Sequence, residues 1–153
     1  MTSITNVFTD SSSSSSETII RKIKNGEWID IMNGVCNIKD NLIILDHNYF
    51  KYFATKETYN IILSRVVNNI NDILLLHDGF VVHINMKGLT VTDIDKHLSF
   101  IKSVSTLLKE TYPNKLTKCF IHNPPFVLAQ ILNIVSLFID KETLSKIELV
   151  STK

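Results

Sequence analysis

The side chains of this chain that could do chemistry are its five histidines and two cysteines. They are His47, His77, His83, His97, His122, Cys36 and Cys119. None of the histidines has the spacing to a cysteine or a carboxylate that a metal site needs. The sequence also has no glycine-rich phosphate loop and no serine in a nucleophile elbow. We therefore expect no catalytic residue, no metal and no cofactor, and a protein that is not an enzyme.

Two of the histidines occupy positions where they could act on a ligand together. His83 and His122 each lie in a predicted strand, and each is followed closely by an asparagine. Neighbouring strands would bring the two imidazoles together, where they could hydrogen-bond the head group of a ligand. The alternative is that both are hydrogen-bonded histidines of the core.

Composition limits the class of protein. With 153 residues, 44% of them hydrophobic, the chain is long enough for one domain with a core. A net charge of +1 gives no basic footprint, so nucleic acid is not an expected partner. Two distant cysteines and the lack of an apolar signal or spanning segment predict a cytoplasmic protein. The many Ile, Asn and Lys residues are typical of an AT-rich genome, as in protists or large DNA viruses.

The chain divides into a tail and one domain. Residues 1–17 include a run of six serines, which cannot bury enough apolar surface to offset the ordering of its backbone, and we predict a disordered tail. Residues 18–153 then form a single domain. It begins with a short amphipathic helix that ends near Gly26. The basic side of this helix is either its solvated face or a point of peripheral contact with an anionic membrane.

Alternating patterns predict an α/β fold, a mainly parallel sheet with flanking helices and an N-terminal hairpin. The hairpin is placed at residues 28–38, with Asn33-Gly34 as its turn. Apolar runs predict strands at 42–45, 80–86, 117–122 and 147–150, and helical periodicity predicts helices at 56–76, 92–109 and 126–139. The helix at 92–109 has two apolar stripes, and the one at 126–139 should be buried on most of its circumference. Asp140 is placed to cap a short helix after it.

Motifs in the second half of the chain occur in a recognisable order. They are Asn85-Met86-Lys87-Gly88, Tyr112-Pro113, Asn123-x-Pro125-Phe126 and Phe138-x-Asp140-x-x-Thr143-x-x-Lys146-Ile147. This order and spacing resembles the signature half of CRAL-TRIO domains, a family of phosphatidylinositol-transfer and retinal- or tocopherol-binding proteins. Asn85 stands where that family usually has aspartate. The motif residues shape turns and caps, and we do not expect them to contact a ligand.

The resemblance implies a CRAL-TRIO-like domain that binds or exchanges a single hydrophobic lipid, such as a phosphoinositide. In that family the lipid lies in a deep apolar pocket between the sheet and a mobile helical gate. The residues expected to line such a pocket here are Ile101, Val104, Leu108, Phe120, His122, Val127 and Ile131.

Two other functions stay open. Most of the helical region that usually precedes the domain is missing, and the chain stops where the gate helix would follow, so we expect a minimal member of the family. Its surplus apolar surface would then suit a protein-interaction or homodimerisation module of the divergent branch, with a second copy or a small GTPase as partner. A regulatory domain of the STAS type is the other alternative, with Thr90 or Thr92 as the phosphorylated residue.

Overall fold

The computed structural model describes Phe8 and residues 16–150. Most of the predicted tail, residues 1–17, therefore lies outside the described residues. The helices are α1 (Ser16–Lys24), α2 (Trp28–Val35), α3 (His47–Phe53), α4 (Tyr59–Leu74), α5 (Val91–Lys96), α6 (Leu98–Thr111), α7 (Leu128–Val135) and α8 (Lys141–Ser145). The strands are β1 (Cys36–Lys39), β2 (Leu42–Asp46), β3 (Phe80–Asn85), β4 (Leu116–His122) and β5 (Ile147–Leu149).

The five strands form one sheet in the order of the chain, β1 to β5. β1 and β2 are antiparallel and form a hairpin, whereas β2, β3, β4 and β5 are parallel neighbours. Helices connect the parallel strands, as crossover connections require. The predicted α/β fold with a mainly parallel sheet, flanking helices and an N-terminal hairpin is confirmed.

The position of the hairpin differs from the prediction. Residues 28–35 are helix α2, and the turn lies at Asp40-Asn41, where Asp40 has a positive φ of 56°. The prediction of a turn at Asn33-Gly34 was wrong. Gly34 lies in α2 where the helix packs closely against α3, and a side chain at this position would meet the ring of Tyr49. Asn33 in turn accepts a hydrogen bond from Arg65 on α4.

The helix predicted at 92–109 is interrupted, although the helix predicted at 56–76 is confirmed as α4. Thr90 and Asp93 form a reciprocal capping box that starts α5. His97 then ends α5 and precedes α6, with a backbone conformation outside the helical region. The His97 side chain at this break is buried.

The two faces of the sheet have different roles. Side chains alternate between the faces along each strand. Those of one face, which we call the cavity face, belong to the main apolar core together with α1, α2, α3, α4 and α6; they include Ile43, Leu45, Phe80, Val82, Ile84 and Cys119. The opposite face contains Ile44, Val81, His83, Phe120 and His122. The described helices therefore pack mainly on one side of the sheet.

α7 is less buried than its sequence predicted. Leu128, Ile131 and Val135 are its buried residues, and they form one face that contacts α5. Outside α7, Phe126 is fully exposed and Leu137 is 84% exposed. The helix thus has a single buried face, and the expected burial around most of its circumference was wrong. The predicted cap of α8 is confirmed, since Asp140 Oδ1 accepts a hydrogen bond from the Thr143 N–H at 2.8 Å.

Candidate functional site

An apolar cavity of about 300 Å³ lies between the cavity face of the sheet and the helices that cover it. Protein interiors seldom contain voids much larger than a water molecule, so a space of this size is a candidate binding site. Strand residues Ile43, Val82, Ile84 and Cys119 form one wall. The opposite wall comes from α4 and α6.

Helical periodicity explains how α4 and α6 line the cavity. Ile62, Val66 and Ile70 recur every four residues on α4, and all three line it. On α6 the lining residues include Ile101, Val104 and Leu108. These are three of the residues expected from the sequence to contact a lipid. The second apolar stripe predicted for this part of the chain contributes Phe100 to the same wall.

One end of the cavity is polar. We call this the polar end and define it by Asp46, His47, Asp93 and His97. His47 Nε2 and Asp93 Oδ2 lie 3.2 Å apart, and His97 Nδ1 shares a hydrogen bond with the Tyr59 hydroxyl group. All four residues come from the carboxyl ends of β2 and β3 or from the segments that follow them. The carboxyl edge of a parallel sheet is where ligands of open α/β folds commonly bind.

Burial controls protonation at the polar end. It lowers the pKa of His97, and it lowers the pKa of His47 even though the Asp93 carboxylate acts in the opposite direction. Burial raises the pKa of Asp46 despite hydrogen bonds from Asn48 and Asn85. For Asp93, burial is outweighed by hydrogen bonds and by His47, and its pKa is lowered. The histidines therefore favour the neutral form, which can both donate and accept a hydrogen bond.

Aromatic rings support the polar end from the side. Phe50 on α3 meets the His97 ring edge-on at 4.9 Å, and the Phe100 ring lies 5.0 Å from that of Tyr59. These contacts fix the orientation of His97, because both its ring and its Nδ1 have a partner. The polar end is thus held in place by packing as well as by hydrogen bonds.

The other four predicted lipid contacts do not line this cavity. Phe120 and His122 lie on the opposite face of the sheet, because side chains alternate along β4 and Cys119, directly before Phe120, occupies the cavity face. Val127 and Ile131 belong to a second, smaller core cluster between α5 and α7. The structure therefore brings together only the three predicted contacts on α6.

His83 and His122 are direct neighbours, as their places in the sequence suggested. His83 Nδ1 and His122 Nε2 lie 2.8 Å apart, and the His83 ring stacks on Phe120. Phe8 meets the His122 ring edge-on at 4.8 Å. Burial, together with the neighbouring His83, lowers the pKa of His122 to about 4. The pair is hydrogen-bonded and buried, which favours the core alternative over a role in binding a head group.

The sequence did not identify the polar end. Asp46 caps α3 by accepting a hydrogen bond from the Asn48 N–H, and an aspartate directly after an apolar strand is a usable signal for such a helix start. No local signal links His47 to Asp93, since the two are 46 residues apart. Only the tertiary structure shows that they meet.

Other functional centres have no counterpart in the described residues. Within residues 16–150 and Phe8, no group of three or more His, Cys, Asp or Glu side chains is arranged to hold a metal ion. None of the helices in this part of the chain has the length and apolar character needed to cross a membrane. Thr90, considered above as a phosphorylation site, is engaged in the capping box of α5.

The fold and the cavity together define a class of protein. It is an α/β domain with a mainly parallel sheet and, on the helix-covered face of that sheet, an apolar cavity with one polar end. The profile of the CRAL/TRIO domain matches residues 45–153, which is most of the chain. The chain belongs to the CRAL/TRIO domain family, and the resemblance found in the sequence is confirmed.

Individual relatives agree with this family. The chain is 26% identical over 68 residues to Sec14 cytosolic factor of Schizosaccharomyces pombe, covering 44% of this chain and 24% of that protein. It is 31% identical over 64 residues to a CRAL-TRIO domain-containing protein of Saccharomyces cerevisiae, covering 21% of it. The crystal structure of Sfh5 matches 82% of this chain and 49% of its own, with a TM-score of 0.66 and 16% identity, a likeness of fold. The chain thus spans less than half the length of these relatives.

Proposed function

We propose that this chain is a non-enzymatic lipid-binding module that holds or exchanges one hydrophobic lipid in its cavity. The observation that carries the proposal is the cavity of about 300 Å³, whose walls are almost entirely aliphatic and aromatic. Its volume falls at the lower end of ligand pockets, which span about 300–1,000 Å³. Membership in the CRAL/TRIO family supports the same function.

Burial of the lipid tail would supply the binding free energy. Each Å² of apolar surface removed from water contributes about 25 cal/mol. The ligand would also gain dispersion contacts with side chains that line the cavity, such as Val66 and Val104. A lipid is the ligand class that combines a large apolar surface with few polar groups, which matches walls of this composition.

Several finer points belong to the same proposal. Relatives named cytosolic factors favour a cytoplasmic location, with peripheral membrane contact during exchange. The family resemblance offers a phosphoinositide as one example of the bound lipid. Whether its head group can be bound inside the cavity depends on the residues of the polar end. The second candidate function, a protein-interaction or homodimerising module, is favoured by the exposure of Phe126 and Leu137.

A tryptophan at position 104 tests the proposal. We expect Val104→Trp to fill the cavity from α6 and to weaken binding of the apolar dye N-phenyl-1-naphthylamine at least tenfold, measured by its fluorescence. Thr106→Trp is the matched control, because Thr106 is a similar-sized, exposed residue on the same helix. We expect it to leave dye binding unchanged.

Two outcomes would overturn the lipid-binding proposal. One is equal dye binding by both tryptophan variants, which would place the dye elsewhere on the protein. The other is that the wild-type chain binds no dye and sediments as a dimer, whereas the Leu137→Asp variant sediments as a monomer. That result would favour the interaction module instead. Thermal unfolding of each variant checks that the fold is retained.

A further inference from the structure

We propose that the cavity selects an uncharged lipid with one apolar tail and one hydroxyl group, with the hydroxyl bound at the polar end. This inference rests on the proposed lipid-binding function and specifies its substrate class. It follows from three properties of the cavity: the charges of its lining, the hydrogen-bonding groups at its polar end and its size.

The charges of the lining oppose an anionic head group. None of the described residues that line the cavity is lysine or arginine, whereas Asp46 and Asp93 both do so. A phosphate group placed inside would have to lose its hydration without gaining a cationic partner, beside carboxylates of the same sign. An ammonium head group would be less disfavoured by sign but would still need desolvation. An uncharged head group avoids both costs.

The polar end offers hydrogen bonds suited to a hydroxyl group. His47 uses Nε2 with Asp93, and His97 uses Nδ1 with the Tyr59 hydroxyl group. Because the Asp93 carboxylate only accepts, His47 Nε2 donates to it and His47 Nδ1 is left to accept a hydrogen bond from a ligand hydroxyl group. The remaining nitrogen of His97, Nε2, can donate or accept, depending on the role of Nδ1 towards Tyr59. Because the partners of both rings fix their orientation, the remaining nitrogens have fixed directions as well. A hydroxyl group, which both donates and accepts, can match either tautomer.

The size of the cavity limits the tail. An apolar cavity of about 150 Å³ can hold one benzene molecule, so about 300 Å³ accommodates roughly a dozen carbon atoms. A phosphoinositide has two long acyl chains, which together exceed this volume. A single aliphatic or isoprenoid tail of moderate length fits.

Three lysines lie near enough to the polar end to lower the pKa of its residues, but they do not line the cavity. Lys51 and Lys96 lower the pKa of His47 and of His97, and Lys87 lowers that of Asp46, each as a minor contribution beside burial. None of these three lysines lines the cavity. A phosphate could reach them only with its head group outside, and this arrangement is the alternative that the test must separate.

A head-group series with a constant tail provides that test. Dodecanol, dodecyl phosphate and dodecylammonium are each titrated against the wild-type chain loaded with N-phenyl-1-naphthylamine at pH 7.5. We expect dodecanol to displace the dye at a concentration at least tenfold lower than dodecyl phosphate. Equal or better displacement by dodecyl phosphate would overturn the inference. Binding of phosphatidylinositol from vesicles more tightly than dodecanol would overturn it too.

Variants at the polar end test the role of the histidines. His97→Phe keeps an aromatic ring, and Tyr59→Phe removes only the hydroxyl group that orients His97. Loss of one hydrogen bond corresponds to roughly a three- to tenfold weaker affinity, and we expect this for dodecanol with either variant. Binding of the dye itself, which lacks a hydroxyl group, should stay within twofold. The exposed His77→Phe is the control and should change neither. Unchanged dodecanol binding in both His97→Phe and Tyr59→Phe would refute the assigned role.

The series also separates this inference from the proposed function. Displacement by any member that is lost in Val104→Trp but kept in Thr106→Trp shows that the cavity binds lipid. If that dependence holds and the charged lipid binds best, only the substrate class is wrong. If no member depends on Val104, the proposed function itself fails.

Discussion

Replacing Gly34 with alanine lowers the free energy of unfolding by about 1–2 kcal/mol, although alanine normally stabilises a helix interior by ~1 kcal/mol relative to glycine. Gly34 lies within α2, and a Cβ atom built there meets the ring carbons of Tyr49. Tyr49 is buried on α3, so its ring has little room to move. Overpacking of this kind typically costs ~1–3 kcal/mol and here exceeds the gain in helix propensity.

Thermal and urea unfolding measure this effect, and a double variant assigns its cause. Tyr49→Leu shortens the opposing side chain, so Gly34→Ala should be much less destabilising in that background than in the wild type. Gly88→Ala is a useful comparison, because Gly88 has a positive φ of 80° but nothing near its would-be Cβ. It should show backbone strain alone, ~1 kcal/mol. A Gly34→Ala variant as stable as the wild type would contradict the close packing of α2 on α3.

The stability of the fold decreases as the pH falls from about 6.5 towards 4. His122 is 2% exposed, and burial together with His83 lowers its pKa to about 4 in the folded chain. The unfolded chain takes up this proton near the ordinary histidine pKa of 6.5, so between these pH values it binds more protons than the folded chain. Acidification across this range therefore favours unfolding, by up to about 3 kcal/mol from His122 alone.

His122→Gln isolates this contribution in urea unfolding at pH 7, 6, 5 and 4.5. The variant should lose part of the pH dependence, because glutamine does not titrate and its amide can still hydrogen-bond His83. The exposed His77→Gln should keep the full slope. The lowered pKa values of His47, His83 and His97 act in the same direction, and the raised pKa of Asp46 acts oppositely; all of them remain in both variants. Equal slopes for His122→Gln and wild type would contradict the assignment.

Long periodic or apolar segments were predictable because their signal is local. α4 follows from the recurrence of Ile62, Val66 and Ile70, and the interior strands β3 and β4 follow from apolar runs ended by polar or proline residues. Parallel strands covered by helices are expected to look this way. The family motifs added the fold class, since they depend on order and spacing along the chain.

The remaining features depend on contacts between distant residues. Asn33-Gly34 has the strongest local signal for a hairpin turn, yet the fit of Gly34 against Tyr49 places it in a helix. α3 has only seven residues, too few for a clear periodic pattern. Ile101, Val104 and Leu108 line the cavity, and their shared side of α6 was predictable because the helix is amphipathic. Phe120 was expected to line the pocket, but it lies on the opposite face of the sheet. The alternation of side chains along β4 can be read from the sequence, whereas the face that meets the helices cannot.

Native mass spectrometry of the purified chain, followed by organic extraction and lipid analysis of the same sample, tests the central claim most directly. The account predicts a monomer that carries one uncharged, single-tailed lipid at stoichiometric ratio, and a Val104→Trp variant that carries none. A lipid-free dimer that stays free of lipid after incubation with dodecanol would contradict it and would favour the protein-interaction module.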